Sequence, residues 1–351
     1  MEPIKVCFIS LRSYPLFSKK SFDYFGGAEV QMSLIAKALA KDKKFQVSVI
    51  VGDYGQKTAV KQNRLTLYRS FKHGRFFPFE VGRFFQLLKK IKADIYVERT
   101  INPKILLVYL FCRLFKKKFV YMVAHDWDLN HRIIKLADSI ITQPSNQQKK
   151  LLKNWKLSSF LLPSILPGKE ILQKKNENNN PILWIGRAEQ WKQAEIFLKL
   201  VSHFPQQKFV MICRLGHDFS YYQKLFSRLQ PLPNLEFYND IPFTQINNFF
   251  QQAKMLVNTS ISEGVPNTFL QAGLNHVPIL SLTVNPDKYI SHYHCGLVAN
   301  NNINLLINNC QKLLKNHSLA RSFGKNNFNY VKSRHLNIMR LKQKLQCLAQ
   351  V

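Results

Sequence analysis

Short apolar runs alternate with amphipathic segments along almost the whole chain, and this alternation is what most constrains the fold. In the first half, runs of buried-strand length lie at 4–10, 45–51, 94–98, 118–124 and 139–142. Segments of helical character lie between them at 27–41, 84–91, 104–114 and 145–152. Strands that alternate with helices in this way are typical of parallel sheets covered on both faces. The sequence therefore predicts a doubly wound α/β fold.

The alternation is interrupted once and then restarts. Pro163, Pro167 and the polar stretch 174–180 are typical of a linker. Beyond it, predicted strands lie at 181–185, 208–213, 254–258 and 277–282, and predicted helices at 191–204, 266–275, 305–315 and 338–348. The domains expected from this pattern are an amino-terminal domain at 1–163, a linker at 164–180, a carboxy-terminal domain at 181–331 and a last helix at 332–351 that packs back on the amino-terminal domain.

The charge is strongly unbalanced. Lys and Arg total 51 against 20 Asp and Glu in 351 residues, a formal net charge of +31. This balance indicates an anionic partner, whether nucleic acid, acidic lipid or a phosphorylated substrate. The alternative is a compositional bias without a role. Because no recognition-helix, zinc-finger or RNA-binding strand pattern accompanies the charge, no nucleic acid partner is expected.

The cysteines and the apolar runs bear on the compartment. Six cysteines lie far apart without a C-x-x-C pair, which argues against a disulfide framework or zinc site and fits a reducing compartment. The apolar run at 4–9 is too short for an export signal, and the uncharged run at 105–112 is too short to cross a bilayer. We therefore expect a cytoplasmic protein, free or peripheral on the inner face of the membrane.

The first candidate binding motif is Gly26-Gly27-Ala28-Glu29, which follows the loop after the first strand. Glycines allow a ligand to approach the backbone closely, and free amides at a helix start attract anions. A simple turn before a helix is the alternative. The motif is not the G-x-G-x-x-G fingerprint, which disfavours a dinucleotide cofactor.

The second motif places two cations at the end of a strand. Gly186-Arg187 ends the predicted strand, and Lys192 follows near the start of the next helix. A guanidinium and an ammonium at this position can neutralise a diphosphate. In a chain this basic, the alternative is two solvated side chains.

The third motif, at 258–271, is the most informative. It leaves a predicted strand and enters a predicted helix with Pro266 at an early position. Glu263 can accept hydrogen bonds from sugar hydroxyls, and Gln271, about two turns into the helix, can reach the same side. Three backbone amides are expected to face the ligand, those of Val265, Asn267 and Thr268. The alternative is that Glu263 merely stabilises the start of the helix through its charge. That alternative explains Glu263 but not the rest of the motif.

Together these motifs resemble the GT4 family of retaining glycosyltransferases. The matching segments are Gly26-Gly27-Ala28-Glu29, His125-Asp126, Gly186-Arg187 with Lys192, and Glu263 through Leu270. The resemblance implies a GT-B fold, in which two Rossmann-like doubly wound domains face a central cleft. It also implies a nucleotide-sugar donor held mainly by the carboxy-terminal domain and an acceptor held mainly by the amino-terminal domain.

The resemblance also implies roles for individual residues. Arg187 and Lys192 would bind the donor diphosphate, Glu263 would hold the donor sugar, and His125 would donate a hydrogen bond to that sugar. The catalytic set is therefore His125, Arg187, Lys192 and Glu263. The donor-binding set is Gly26, Gly27, Arg187, Lys192, Glu263, Gly264, Val265, Pro266, Asn267, Thr268 and Gln271.

One position departs from the family pattern. Gln271 stands where the family has a second glutamate, which accepts hydrogen bonds from the ribose hydroxyls. An amide oxygen can still accept, but the charge-assisted part of the interaction is lost.

The expected activity is transfer of a sugar with retention of configuration, without a cofactor or a metal, in the synthesis of surface polysaccharide, lipopolysaccharide or glycolipid. The expected partners are a nucleotide-sugar donor and a glycan or lipid-linked acceptor. Three alternatives stay open: another GT-B enzyme such as a sugar-nucleotide epimerase, a basic nucleic-acid-binding protein, and a binding module without activity.

Basic clusters and phenylalanines in the first half suggest docking on an anionic membrane. The clusters lie at 41–44, 89–92 and 116–118, and the phenylalanines are Phe71, Phe76, Phe77, Phe79, Phe84 and Phe85. The alternative is that the rings belong to the core and the lysines are merely solvated.

Overall fold

The computed structural model describes residues 2–18, 25–72, 78–102, 104–166, 180–229 and 232–350, with the backbone alone at 78 and 79. The chain forms two compact units, one from residues 1–167 and 337–351 and the other from residues 168–336. Of the predicted linker at 164–180, only 164–166 and 180 lie within the described residues.

A predominantly parallel sheet forms the centre of the amino-terminal unit. Its strands are β1 (Ile4–Ile9), β2 (Phe45–Val51), β3 (Ala59–Gln62), β4 (Leu65–Arg69), β5 (Ile95–Glu98), β6 (Lys118–Met122), β7 (Ser139–Thr142) and β8 (Phe160–Leu161). Their order is β3-β4-β2-β1-β5-β6-β7-β8, and the order changes direction between β1 and β5. The hairpin β3–β4 is antiparallel and turns at Asn63, whose left-handed φ of 55° suits a two-residue turn. Sequence analysis missed both of its strands, since β3 is short and mostly exposed and β4 has only two buried residues.

Helices cover both faces of this sheet. They are α1 (Gly27–Leu39), α2 (Pro78–Ile91), α3 (Lys104–Leu114) and α4 (Ser145–Trp155). On one face α1 buries Met32, Ile35 and Leu39 against the strands. On the other face, α2 and α3 bury Leu88 and Val108. The doubly wound layering predicted from the alternation is therefore present.

The structure corrects the expected position of the phenylalanines. Phe71 and Phe84 are 7% and 1% exposed and belong to the core, so they cannot lie at a headgroup surface. The Phe85 ring packs edge-on against Phe111 at 5.2 Å. Phe76 and Phe77, and the side chain of Phe79, lie outside the described residues.

The carboxy-terminal unit contains a second, all-parallel sheet within the described residues. Its strands are β9 (Ile182–Arg187), β10 (Phe209–Arg214), β11 (Leu235–Tyr238), β12 (Met255–Asn258), β13 (Ile279–Ser281) and β14 (Gly296–Val298). The order is β11-β10-β9-β12-β13-β14, so the direction changes between β9 and β12. Its helices are α5 (Ala194–His203), α6 (Phe219–Phe226), α7 (Ile246–Gln252), α8 (Asn267–Leu274), α9 (Tyr289–His292), α10 (Ile303–Lys315) and α11 (His317–Arg334).

The helices of this unit differ from the prediction, which contained no counterpart of α6, α7, α9 or α11. The helix expected at 191–204 is divided, because Gln193 adopts a left-handed φ of 48° between a 3-10 turn at Gln190–Lys192 and α5. Lys192 therefore lies on a turn and not on a helix. Helix α11 was not predicted, and its buried face includes a glycine and an asparagine, Gly324 and Asn327, which dilute the apolar periodicity.

The last helix, α12 (Met339–Gln350), is counted with the amino-terminal unit. Ile338, Leu341 and Leu345 join the core cluster of that unit, and Lys342 Nζ lies 2.8 Å from Asp42 Oδ2. The chain leaves the carboxy-terminal unit after residue 336 and not after 331, since α11 continues to Arg334. No helix of the described residues is long and apolar enough to span a membrane.

Candidate active site

The carboxy-terminal sheet brings two of the sequence motifs to one edge. Arg187 is the last residue of β9, and the segment containing Glu263 follows the neighbouring strand β12. Because the order of the sheet reverses between these two strands, their carboxyl ends flank the position at which open α/β sheets bind ligands.

Lys192 and Glu263 form a shielded ion pair at this edge. Lys192 Nζ lies 2.8 Å from Glu263 Oε2, and the two side chains are 14% and 12% exposed. The ammonium also lies 4.2 Å from the centre of the Trp191 ring. Glu263 Oε1 accepts hydrogen bonds from Asn258 Nδ2 at 2.9 Å and Ser260 Oγ at 2.7 Å. Hydrogen bonds to the carboxylate help to stabilise a buried pair of this kind, and Asn258 and Ser260 supply them here.

The surroundings shift the pKa values of both partners. Burial lowers the pKa of Lys192, although Glu263 acts in the opposite direction. For Glu263, burial favours a higher pKa, but the charge of Lys192 and the hydrogen bonds to the carboxylate outweigh it and leave the pKa below its usual value. Glu263 is therefore ionised at neutral pH and can only accept hydrogen bonds.

Hydrogen bonds hold the lysine turn against the loop after β12. Thr259 Oγ1 donates to the Lys192 carbonyl at 2.7 Å and accepts from Trp184 Nε1 at 3.0 Å. The Ile261 amide donates to the Trp191 carbonyl at 2.9 Å. The position of the charge pair is thus set by the backbone of both segments. Sequence analysis assigned no role to these supporting residues.

Arg187 is flanked by two residues that sequence analysis missed, Glu189 and His217. Arg187 Nη1 lies 3.7 Å from Glu189 Oε1, which also accepts from the His217 amide at 3.2 Å and contacts His217 Nδ1 at 2.7 Å. Gly216 makes this approach possible, because a Cβ there would lie 2.1 Å from the Ala188 carbonyl oxygen. No short-range motif links the two segments, so the sequence contained no signal for the contact.

The neighbouring strand β10 contributes a second arginine, Arg214, which already forms an ion pair with Asp240. Arg214, the register partner of Arg187 on β10, has Nη2 2.6 Å from Asp240 Oδ1 and donates to the Ile241 carbonyl at 2.6 Å. Its charge is therefore compensated within the protein.

Helix α8 begins at the same edge. Pro266 is the residue before the helix, with φ −60° and ψ 130°. Among the described residues, no acceptor is found for the amides of Val265 and Thr268, as expected at the start of a helix. Gln271 is buried, at 8% exposed, and its side-chain amide makes no hydrogen bond with the described residues. These groups are available to a polar ligand.

In the amino-terminal unit, the glycine motif forms the start of α1. The Gly26 amide donates to Glu29 Oε2 at 2.8 Å, so the glutamate of the motif satisfies a backbone donor ahead of the helix. Gly27 is the first residue of the helix.

His125 follows β6 at the carboxyl edge of the amino-terminal sheet. Its ring stacks on Trp127 at 4.1 Å, and its amide donates to Asp128 Oδ2 at 3.1 Å. The same oxygen accepts from the Ala124 amide at 2.8 Å and the Tyr121 hydroxyl at 3.1 Å. The conformation of the histidine loop is therefore fixed by a buried aspartate.

The expectation of no metal overlooked an Asp-x-Asp sequence, Asp126-Trp127-Asp128. Both of its carboxylates are engaged: Asp128 as above, and Asp126 with Gln147 Nε2 at 3.1 Å and Lys150 Nζ at 2.5 Å. Within the described ranges, no group of three His, Cys, Asp or Glu residues is placed to hold a metal ion.

The structure thus brings Lys192, Glu263, Arg187 and the start of α8 together in the carboxy-terminal unit. Gly26, Gly27 and His125 belong to the amino-terminal unit.

Comparisons with known proteins show a likeness to glycosyltransferases. Residues 169–330 match the family described as glycosyl transferases group 1. An uncharacterized glycosyltransferase of Methanocaldococcus jannaschii is 22% identical over 363 residues, which cover 88% of this chain and 91% of the relative.

Two solved structures share the fold over their full length. Sucrose-phosphate synthase from Thermosynechococcus elongatus has a TM-score of 0.78 at 15% identity, covering 99% of this chain and 98% of its own. Anabaena HepE, in complex with UDP, has a TM-score of 0.72 at 13% identity, covering 99% of this chain and 100% of its own. These superpositions and the two sheet orders define a GT-B fold, which confirms the predicted fold class. The family match in the carboxy-terminal unit supports, more particularly, a group 1 glycosyltransferase.

Proposed function

We propose that this protein is a retaining, metal-independent glycosyltransferase of the GT4 type. It transfers a hexosyl group from a nucleoside diphosphate sugar to a glycan or lipid-linked acceptor, in the synthesis of surface polysaccharide, lipopolysaccharide or glycolipid. The observation that carries the proposal is the shielded Lys192–Glu263 pair beside Arg187 and the start of α8. The group 1 family match over the same unit and the UDP bound to Anabaena HepE support it.

The charges suit a diphosphate and a sugar. Lys192 has three donors, so it can keep its contact with Glu263 and also bind a phosphate oxygen. Arg187, the last residue of β9, adds a guanidinium that can donate two parallel hydrogen bonds to a phosphate. Glu263, ionised and held by Asn258 and Ser260, accepts from sugar hydroxyls.

The reaction proceeds on one face of the sugar. The bond between the anomeric carbon and the diphosphate oxygen breaks, and a bond from the same carbon to the acceptor oxygen forms. The acceptor proton passes to the departing diphosphate oxygen. Arg187 and Lys192 stabilise the charge that develops on the diphosphate, and His125 donates a hydrogen bond to the donor sugar without acting as a base.

A face of α3 supports a membrane-bound acceptor. Leu106, Leu110 and Leu114 recur every four residues and are 49%, 53% and 71% exposed. The neighbouring helix α2 exposes Lys89, whose Nζ lies 5.9 Å from the centre of the Phe115 ring just after α3. Apolar side chains flanked by lysines are typical of helices that lie on anionic lipid. In this part of the proposal the leucines replace the phenylalanines as the groups that enter the lipid.

Donor binding is tested by thermal shift of the full chain with UDP-, GDP- and ADP-sugars, since a ligand of the native state raises the melting temperature. We expect one nucleotide class to stabilise the protein and release of that nucleoside diphosphate when an acceptor is added. Formation of an epimeric nucleotide sugar without an acceptor would establish the epimerase alternative. No response to any donor would leave a binding module without this activity.

The stereochemistry and the metal are tested together. Proton NMR of the product should show the anomeric configuration of the donor, and EDTA should not reduce the rate. An inverted product, or activity that EDTA abolishes and magnesium restores, would contradict the mechanism.

A further inference from the structure

The amino-terminal unit leaves the large apolar side chain of Trp127 exposed. Trp127 is 52% exposed, whereas Trp184 is 2% exposed and Trp155 and Trp191 are half-buried. It belongs to a 3-10 turn at Asp126–Asn130, which follows β6 at the carboxyl edge of the sheet. Open α/β sheets bind their ligands at this edge, so the ring lies where a ligand is expected.

The turn that carries Trp127 is held in place on its buried side. Asp128, at 4% exposed, accepts hydrogen bonds from β6 and from the two amides after Val123. The Leu129 carbonyl accepts from Trp155 Nε1 at 2.5 Å, and Trp155 belongs to α4. A ring on a turn fixed in this way loses little conformational freedom when a ligand binds.

The indole of Trp127 has one covered face and one exposed face. The covered face stacks on the His125 ring, with the centroids 4.1 Å apart and the planes at 19°. Because half of the residue is nevertheless exposed, the exposed surface includes the opposite face. One side of a pyranose ring consists of C–H bonds, which are apolar and carry partial positive charge toward the negative face of an aromatic ring. The exposed face therefore suits a sugar ring that lies flat on it.

A polar side chain stands on the same side of the turn. Side chains three residues apart eclipse each other in a 3-10 helix, so Asn130 lies beside Trp127. Asn130 is exposed, and its amide can donate to or accept from a sugar hydroxyl. An aromatic face next to an amide matches the C–H face and the hydroxyl rim of a pyranose.

We propose that Trp127, with Asn130, binds a pyranose ring of the acceptor. The C–H face of that ring stacks on the exposed face of the indole, and the Asn130 amide forms a hydrogen bond with one of its hydroxyls. The acceptor therefore carries a cyclic sugar at this position and not an open-chain polyol. Calling this sugar the acceptor rests on the proposed function; the stacking site itself does not.

Saturation-transfer NMR of the full chain tests the site. The probes are the methyl pyranosides of glucose, galactose, mannose and N-acetylglucosamine, with the open-chain polyol sorbitol for comparison. We expect at least one pyranoside to bind, with the strongest transfer to the C–H protons of one ring face. Sorbitol should bind about tenfold more weakly, because it has no flat C–H face.

Variants separate stacking from simple apolar contact. Trp127→Ala and Trp127→Leu should both lose the binding, since leucine keeps apolar bulk but has no aromatic face, and Trp127→Phe should retain most of it. Phe226→Ala is the matched control and should bind as wild type does. Phe226 is 48% exposed and stacks on Tyr222, but it lies at the end of α6 in the other unit.

Four results would overturn the proposal: no binding of any pyranoside, equal binding of sorbitol, wild-type binding in Trp127→Ala, or loss of binding in Phe226→Ala. Thermal melting of each variant shows whether it is folded, and if Trp127→Ala does not fold, Trp127→Leu decides. Wild-type binding in Asn130→Ala would remove the hydroxyl contact from the site.

The assignment of this sugar to the acceptor has its own measurement. Adding a nucleotide sugar should leave pyranoside binding unchanged. If the nucleotide sugar displaces the pyranoside and the matching nucleoside diphosphate does not, the ring binds the donor sugar and the assignment is overturned. Because none of these titrations measures transfer, they separate failure of this proposal from failure of the proposed function.

Discussion

At the scale of single residues, both units contain charges whose burial depends on one or two partners. Lys192 and Glu263 compensate each other, and Asn258 and Ser260 complete the carboxylate. In the amino-terminal unit, Glu98 has one oxygen without a partner. Substitutions at these positions should therefore have effects that depend on which group remains charged.

Lys192→Ala should lose donor binding by about 10- to 100-fold, since a charge-assisted contact in a shielded site contributes about 1.5–3 kcal/mol. The variant should also unfold more easily, because Glu263 is left buried and unpaired. The double variant Lys192→Ala/Glu263→Gln should recover stability but not donor binding. Lys199→Ala, an exposed lysine of α5, is the matched control. Nucleotide titration with thermal melting measures both effects, and wild-type nucleotide affinity in Lys192→Ala would remove the lysine from the site.

Arg187→Ala is expected to lose donor binding in the same way.

Glu98→Gln should stabilise the protein at pH 8 and have little effect at pH 4.5. Burial raises the pKa of Glu98 from 4.5 to about 7, so the native state favours the neutral acid. The stability that this gives is fully present below pH 4.5 and is lost as the pH rises through 7, a loss on the order of 3 kcal/mol. Urea unfolding of both proteins across this range measures it. Glu2→Gln, at an exposed position, should show no such trend, and parallel curves for wild type and Glu98→Gln would refute the prediction.

At the scale of elements, helix boundaries decide where the site residues lie. The left-handed Gln193 ends the 3-10 turn and lets α5 begin in a new direction, so Lys192 stays beside the loop after β12. Helix α11 packs on α8. Its Asn327 Nδ2 also donates a hydrogen bond to the Val277 carbonyl at 2.9 Å. Helix α8, whose first amides belong to the proposed donor site, is therefore held by an element outside the motifs.

Gly324→Ala and Gly82→Ala should have opposite effects on stability. A Cβ at 324 would lie 1.9 Å from the His276 carbonyl oxygen, so α11 would have to move, at a cost of about 1–3 kcal/mol. A Cβ at 82, in α2, meets nothing within 4 Å and should stabilise the helix by about 0.5–1 kcal/mol. Denaturant unfolding of both variants tests this, and equal stability of Gly324→Ala and wild type would show that α11 is not packed as described.

At the scale of the whole molecule, the charge of +31 is divided between compensated and exposed groups. Lys117, Lys150 and Lys342 have carboxylate partners within 4 Å. Lys89 and Lys90 on α2 are exposed, and Lys89 lies near the end of α3. Exposed charge of this kind acts on distant anionic surfaces and is screened by salt.

Flotation with vesicles tests the membrane part of the proposal. The protein should float with vesicles that contain phosphatidylserine, and flotation should fall steeply as salt rises. Leu110→Glu should abolish flotation at low salt, whereas Leu152→Glu, at a similarly exposed leucine of α4, should not. If neutral and anionic vesicles behave alike, or if the two variants behave alike, the face of α3 is not a membrane-binding surface.

The sequence by itself determined the layered α/β architecture and the motifs at the ends of strands. Periodicity reports local burial, so it predicted β2, β7 and α3 with their observed bounds. It could not separate Phe71 and Phe84 in the core from rings at a surface, because a basic, aromatic stretch is compatible with both.

Only the tertiary structure decided which groups meet. Lys192 contacts Glu263 because β9 and β12 are neighbours in the sheet. The contacts of Glu189 with His217, and the missing partners of Glu98 and Arg99, follow likewise from packing. Strand order and packing result from interactions between distant segments, which the local pattern of residue types does not encode.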